Sequence, residues 1–325
     1  MAKVLGIGNA LVDIIILIDD DSLLEELALP KGSMQLVDIT KSRQVREASE
    51  HLDSSFASGG SAANTIHGLA KLGIETTFIG TVGDDEYGNF FKEDLEKNNI
   101  TPKLFFSETH SGRAVALISP DFERTFATHL GAAIELCADD LDTSHFRDHD
   151  YFHIEGYLVQ DNELLEKAVR LAKENEMIIS LDLASYNIVD ENLDFLKYIV
   201  KEYVDIIFAN EEEAMSFTGK APLEALHELA TICRIAIVKT GKDGSLVKSG
   251  DVVHKIDAAE AKVTDTNGAG DIYAAGFLYG LSQGWTLDKC GQAGAILAGK
   301  VIEVLGPKLD EKGWEEVLKQ IHKLR

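Results

Sequence analysis

Cysteine is scarce in this chain, and Cys137, Cys233 and Cys290 stand far apart without any Cys-x-x-Cys pair. That spacing argues against a disulfide framework and a cysteine-built zinc site, and it fits a reducing, cytoplasmic compartment. Proline is scarce too, at five residues, and no low-complexity run interrupts the sequence, so long disorder is not expected. Long hydrophobic runs are missing. The stretch Ile14-Ile15-Ile16-Leu17-Ile18, flanked by Asp13 and Asp19, is far too short to span a bilayer and is no signal peptide. Positive charge is the most telling shortage: 31 Lys and Arg face 55 Asp and Glu, a formal net charge of −24. No nucleic-acid or membrane partner is therefore expected. A chain this acidic that handled a nucleotide would need local positive charge or a cation such as Mg²⁺ at its site.

The 325 residues suit one large domain with a smaller appendage, and 45% hydrophobic residues supply a substantial core. From about residue 150, apolar strands at 151–154, 177–183, 205–209 and 235–239 alternate with helices, the rhythm of a doubly wound, mainly parallel α/β sheet. Such sheets bind ligands at the carboxyl ends of their strands, where Asn210 and Thr240-Gly241 fall. Earlier in the chain, strands are expected at 4–8, 11–18, 34–39, 76–82, 113–119 and 124–128, and helices at 41–52, 65–72 and 87–97. Gly59-Gly60-Ser61-Ala62-Ala63-Asn64 opens the helix at 65–72 with a glycine turn.

Three patterns are decoys. Gly6-Ile7-Gly8-Asn9-Ala10-Leu11 begins like a dinucleotide fingerprint but has Leu11 in place of the third glycine, which argues against a hydride-transfer enzyme. Gly294 to Lys300 has phosphate-loop spacing without the following hydroxyl residue, inside an apolar helical pattern. His145, His149 and His153 are spaced as metal ligands on one helix, yet His153 belongs to the strand-like 151–154.

The chemistry concentrates at Asp265-Thr266-Asn267-Gly268-Ala269-Gly270-Asp271, followed by an apolar helical stretch from Ile272. Two glycines around an alanine let backbone N–H groups converge at a helix start, which makes an anion site. Asp271 would sit beside any bound anion and stands where a general base would deprotonate an attacking hydroxyl. Read in isolation, Asp265 and Asp271 serve equally as a turn and a helix cap.

These seven residues resemble the signature of the PfkB family of sugar and nucleoside kinases, the ribokinase and adenosine kinase type, with further matches from residue 6 to about residue 307. The resemblance implies a ribokinase-like fold: an α/β core at 1–12, 45–102 and 131–325, and a small β lid at 13–44 and 103–130. It implies ATP as donor, with Gly268, Ala269 and Gly270 as the anion hole and Asp271 as base. Asn9, Asp13, Gly59, Gly60 and Asn64 would bind the acceptor, and Asn210, Thr240, Gly241, Gly244, Asp265 and Thr266 the nucleotide. Glu213 would organise Mg²⁺ through water, and K⁺ could act near Asp265, Thr266 and Gly306. Arg124 on the lid would neutralise the transferring phosphoryl group. By themselves, Asn210 reads as a helix cap, Thr240 to Gly244 as a hairpin turn and Arg124 as a solvated charge. The segment after Asp182, Leu183-Ala184-Ser185-Tyr186-Asn187, only loosely matches the family's Asn/Arg-containing segment.

The sequence reading is therefore a cytoplasmic, Mg-dependent kinase acting on a primary hydroxyl of a small molecule, as a monomer or homodimer. An adenosine-like ribonucleoside leads over a free sugar, with Ile16, Met34, Leu36 and Phe126 available to cover a base. A binding protein that has lost the chemistry is the alternative from another class, and the intact Asp271 argues against it.

Overall fold

The computed structural model describes residues 2–121 and 123–324. Phe122, within the expected lid, lies outside them. The chain opens with β1 (Lys3–Ile7) and crosses at once to a small sheet, through β2 (Leu11–Leu17), α1 (Ser22–Glu26), β3 (Met34–Leu36), α2 (Ile39–Ala48) and β4 (Ser54–Gly59). It returns to the main body with α3 (Ser61–Lys71), β5 (Glu75–Gly83), α4 (Glu86–Lys97) and β6 (Ile100–Ser107), then revisits the small sheet with β7 (Gly112–Ile118) and β8 (Arg124–His129). The rest alternates: β9 (Tyr151–Glu155), α5 (Asn162–Glu174), β10 (Ile178–Asp182), α6 (Tyr186–Glu191), α7 (Leu193–Tyr203), β11 (Ile206–Asn210), α8 (Glu211–Thr218), α9 (Pro222–Ile232), β12 (Ile235–Lys239), β13 (Ser245–Ser249) and β14 (Val252–Ile256). Helices α10 (Ala269–Ser282), α11 (Leu287–Val301) and α12 (Glu311–Leu324) close the chain.

The large sheet has nine strands in the order β14-β13-β12-β11-β10-β9-β1-β5-β6, parallel from β6 to β12 and antiparallel through β13 and β14. Strand β1 is the switch point. The chain runs from it to β5 and β6 on one side and from β9 onward on the other, so a crevice opens at the carboxyl ends of β1 and β9. The site occupies that crevice. Alternate residues of β1 feed two cores, Val4 on the face covered by α3 and α10, and Leu5 and Ile7 on the face covered by α5 and α7.

The small sheet runs β3-β8-β7-β2-β4. Two segments lie across the expected core–lid divide. Strand β4, placed with the core at 45–102, pairs with β2, whereas β6 carries its large-sheet pairing with β5 to Ser107, past the expected lid start at 103. Polar Ser54-Ser55 hid the first, and Pro102 with Lys103 hid the second. Strand β3 ends earlier than expected because the Asp38 side chain accepts a hydrogen bond from Lys41 N and caps α2.

A one-residue parity error affects the expected base-covering residues. Ile16 is fully buried with Val12 and Ile14 on the sheet's inner face, while Asp13 and Ile15 point to the opposite face. Met34 and Leu36 are exposed on β3, at the sheet's edge. Only Phe126 of the four lines the pocket. Ile16→Ala should therefore lower unfolding free energy by about 2–5 kcal/mol. Leu36→Ala, at a side chain 65% exposed, should change it by no more than about 0.5 kcal/mol. Urea midpoints of the two variants check this, and equal costs would refute the assigned faces.

Candidate active site

Two helices open toward each other across the crevice. Helix α3 begins after Gly60, at φ +100°, and α10 begins after Gly268, at φ +72°, conformations that a residue with a Cβ resists. The first-turn amides of each helix lack intrahelical partners. At α10, Ala269 N donates to Thr266 O at 3.3 Å, which leaves Gly270 N and Asp271 N at the open end. Asp271 is gripped by α3: Ser61 Oγ donates to its Oδ1 at 2.7 Å, Asn64 Nδ2 to its Oδ2 at 2.9 Å, and Thr65 Oγ1 to its backbone oxygen at 3.0 Å. Burial pushes the Asp271 carboxyl up to about 7, Asp182 adds to the rise, and the Asn64 and Ser61 hydrogen bonds oppose it. The arrangement suits a base that exchanges its proton near neutral pH.

Nearby, Asn9, two residues past the end of β1, is fixed by Glu155 at the end of β9. Glu155 Oε1 accepts from Asn9 N at 2.9 Å and Asn9 Nδ2 at 2.8 Å, while Oε2 accepts from Ala62 N at 3.0 Å. One buried carboxylate thus joins the end of β1 to the helix that holds Asp271. Asp13 lies against the backbone of Gly59, where a Cβ would stand 2.3 Å from Asp13 Oδ2. Burial raises the Asp13 carboxyl to about 7, opposed by Lys308, whose Nζ donates to Ser58 Oγ at 2.6 Å and Asp94 Oδ2 at 2.8 Å. Asn64 Oδ1 is buried without a hydrogen-bond partner among the described residues.

Asp265 ties three segments together. Its carboxylate accepts from Asn267 N at 2.6 Å and Gly306 N at 2.8 Å and pairs with Arg124 of the small sheet. Arg124, expected to neutralise the transferring phosphoryl group, has this buried carboxylate as its counter-charge here. Between the small sheet and the core, Asp13, Ile15, Ala116, Phe126, Asn267 and Pro307 help to line a pocket of ≈ 10 Å³. That is room for about one water molecule.

At the ends of β10, β11 and β12, Asp182, Asn210 and Lys239 stand on neighbouring strands. Asn210 and Glu213 cap each other: Glu213 N donates to Asn210 Oδ1 at 2.8 Å, and Asn210 N and Nδ2 donate to the two Glu213 oxygens at 2.8 and 2.7 Å. Burial raises Glu213 to about 7. Thr240 N donates to Gly244 O at 2.8 Å in the turn between the antiparallel β12 and β13, with Gly241 open on its outer side. Thr266 is exposed.

Sequence reasoning missed Ser61, Thr65, Glu155, Lys239 and Lys308. Glu155 and Lys239 were within reach, because each ends an expected apolar strand with a charge at the edge where ligands bind. The decoy histidines do not converge: His149 Nε2 lies 2.9 Å from Thr77 Oγ1 and His153 Nδ1 lies 2.9 Å from Ser180 Oγ. Among the described residues, no group of three or more His, Cys, Asp or Glu could hold a metal ion, and no helix is long and apolar enough to cross a membrane.

A family model described as pfkB family carbohydrate kinase matches residues 32–312. A 5-dehydro-2-deoxygluconokinase from Clostridium perfringens is 29% identical over 263 residues, 75% of this chain and 78% of that protein. The crystal structure of a probable sugar kinase from Rhizobium etli matches with a TM-score of 0.88 at 32% identity, covering 100% of this chain and 99% of that one. Adenosine kinase from Sinorhizobium meliloti matches with a TM-score of 0.87, also at 32% identity, covering 98% and 99%.

Asp13, Glu155, Glu213 and Asp271 all hold their protons more tightly in the folded chain than in the unfolded one. Folding therefore takes up protons between about pH 4 and 7, and stability from these groups falls as pH rises through that window. Asp271→Asn removes one of them, so its melting temperature relative to the parent should rise between pH 5 and pH 8. A pH-independent difference would mean that Asp271 does not carry the raised pKa.

Proposed function

The chain belongs to the pfkB family of carbohydrate kinases, phosphotransferases that act on an alcohol group, and on that footing we propose that it phosphorylates a primary hydroxyl of a ribonucleoside with ATP. The observation that carries the mechanism is the grip of Ser61 and Asn64 on a buried Asp271 at the open end of α10. Asp271 takes the proton of the acceptor hydroxyl as the oxygen–phosphorus bond forms and the bond to the leaving ADP breaks. The amides of Gly270 and Asp271 hold the charge that develops on the transferring group. Asn9, Asp13, Gly59, Gly60 and Asn64 orient the acceptor, and the turn from Thr240 to Gly244 lines the nucleotide.

Both Glu213 oxygens already accept from Asn210, but each keeps a second lone pair. That donor set fits Mg²⁺ held mainly by waters and phosphates better than a cage of direct carboxylates. Bound there, the ion would screen phosphate charge; Glu213 would orient its waters. K⁺ is assigned to the loops that Asp265 draws together at Asn267 and Gly306.

A nucleoside is favoured over a free sugar because the lid face over Asp13 is apolar, with Ile15, Ala114, Ala116, Ile118 and Phe126 suited to covering a base. Asp13 would accept from neighbouring ring hydroxyls. Adenosine, inosine, 2′-deoxyadenosine, ribose and fructose should therefore be compared at saturating Mg-ATP, with ribonucleosides ahead and the 2′-deoxy analogue weakened. Efficient turnover of fructose alone would sink the nucleoside assignment and leave the kinase standing.

Asp271→Asn should lower kcat by roughly 10² to 10⁴ with little change in ATP affinity. In the parent enzyme, kcat/KM should fall with decreasing pH below about 7, as Asp271 gains its proton. Near-normal turnover by the Asn variant would remove Asp271 from the role of base.

A further inference from the structure

Lys239 lies at the end of β12, opposite Asn210 of β11, with its side chain only 15% exposed. Its ammonium donates to Asp182 Oδ2 at 2.7 Å, the one hydrogen bond that this group with three donors makes among the described residues. It also touches the glycine turn at the start of α10: a Cβ on Gly270 would stand 3.0 Å from Lys239 Nζ. Burial works against its charge, yet Asp182, Glu213 and Asp271 together hold the ammonium above the usual lysine range. It is thus a buried cation, surrounded by acids, at the open end of a helix where anionic charge is to be stabilised.

We propose that Lys239 is a catalytic residue whose ammonium holds the transferring phosphoryl group against the Gly268–Gly270 turn, with Asp182 as its partner when no phosphate is bound. The inference rests on the kinase reading and deepens it. The chain has an excess of acids and no arginine or lysine in the segment Leu183 to Asn187 that follows Asp182. Lys239 supplies a positive charge at the same strand ends from two strands away. During transfer the lysine donates hydrogen bonds without giving up a proton. The hydroxyl proton goes to Asp271, the acceptor oxygen bonds to phosphorus, and ADP leaves with the electrons of the broken bond. Gly270 is the matching half of the site, since a side chain there would push the ammonium away.

Lys239→Met alone strands Asp182 in the interior, so the decisive variant is Asp182→Asn with Lys239→Met, which removes both charges. Calorimetry with Mg-ADP and with a non-hydrolysable Mg-ATP analogue isolates the contact to the terminal phosphate without relying on turnover. The double variant should bind ADP within about threefold of the parent but lose at least about tenfold in affinity for the analogue, with kcat down by about 10² to 10³. Retention of both the analogue preference and kcat would reduce Lys239 to a structural counter-ion and overturn the proposal. Should the double variant melt early, Lys239→Arg decides, because it keeps the ion pair. The bulkier, forked head no longer fits against Gly270, so kcat should fall at least about tenfold, and a fully active Arg variant would overturn the proposal. A parent enzyme that binds neither nucleotide would overturn the kinase reading and this role with it, a result told apart because the defect is then in the unaltered protein.

Discussion

A carboxylate taken out of water must find donors or give up its charge, and Asp271 finds them on α3. That dependence organises the crevice. Ser61, Asn64 and Thr65 can reach Asp271 because Gly60 lets α3 begin pointing at α10, and α3 is itself held by the bond from Ala62 N to Glu155. Glu155 in turn holds Asn9, so Asp271 and Asn9 share one rigid frame through a single buried glutamate. Groups fixed in this way lose little freedom when substrate arrives, which is how positioning contributes to rate.

The acid excess acts on the same frame. Asp182, Glu213 and Asp271 gather at the strand ends, and burial alone would drive Glu213 and Asp271 toward their neutral forms. Hydrogen bonds from Ser61 and Asn64 at Asp271, and the Asn210–Glu213 cap at α8, offset that drive without adding positive charge. On the lid side Lys308 plays the corresponding part behind Asp13, itself anchored by Asp94 and Ser58. A net charge of −24 is thus compatible with an anion-handling site, because the few cations near it are buried and placed rather than spread over the surface.

Much of this was legible in the sequence, and what was not has a physical cause. The parallel strands were readable because strands buried on both faces are continuous apolar runs. Asp271 was singled out through its local glycine turn and the family signature, and Asn64, Asn9 and Asp13 through the family resemblance, but their partners were not, since Ser61 meets Asp271 across 210 residues and Asn9 meets Glu155 across 146. No local pattern encodes such a pair. The error at Ile16 is of another kind: in a run of three isoleucines every position is apolar, so alternation gives no phase. Asp13 could have supplied it, because a residue two places on from a carboxylate assigned to the site shares its face, and that residue is Ile15.

The pocket of ≈ 10 Å³ between Asp13, Ile15, Phe126 and Pro307 marks how closely the small sheet packs on the core. Arg124 and Asp265 form the ion pair that crosses this divide, with an Asp265 carboxylate that also fixes Asn267 and Gly306. Ser58 of β4 crosses it as well, donating to Asp94 Oδ2 at 2.7 Å and accepting from Lys308 Nζ at 2.6 Å, so the small sheet is tied to the core at both of its ends of contact by charged groups. The contact to the small sheet and the ordering of the loop before α10 thus meet in one side chain: Asp265 Oδ1 takes both Arg124 and Asn267, whereas Oδ2 takes Gly306.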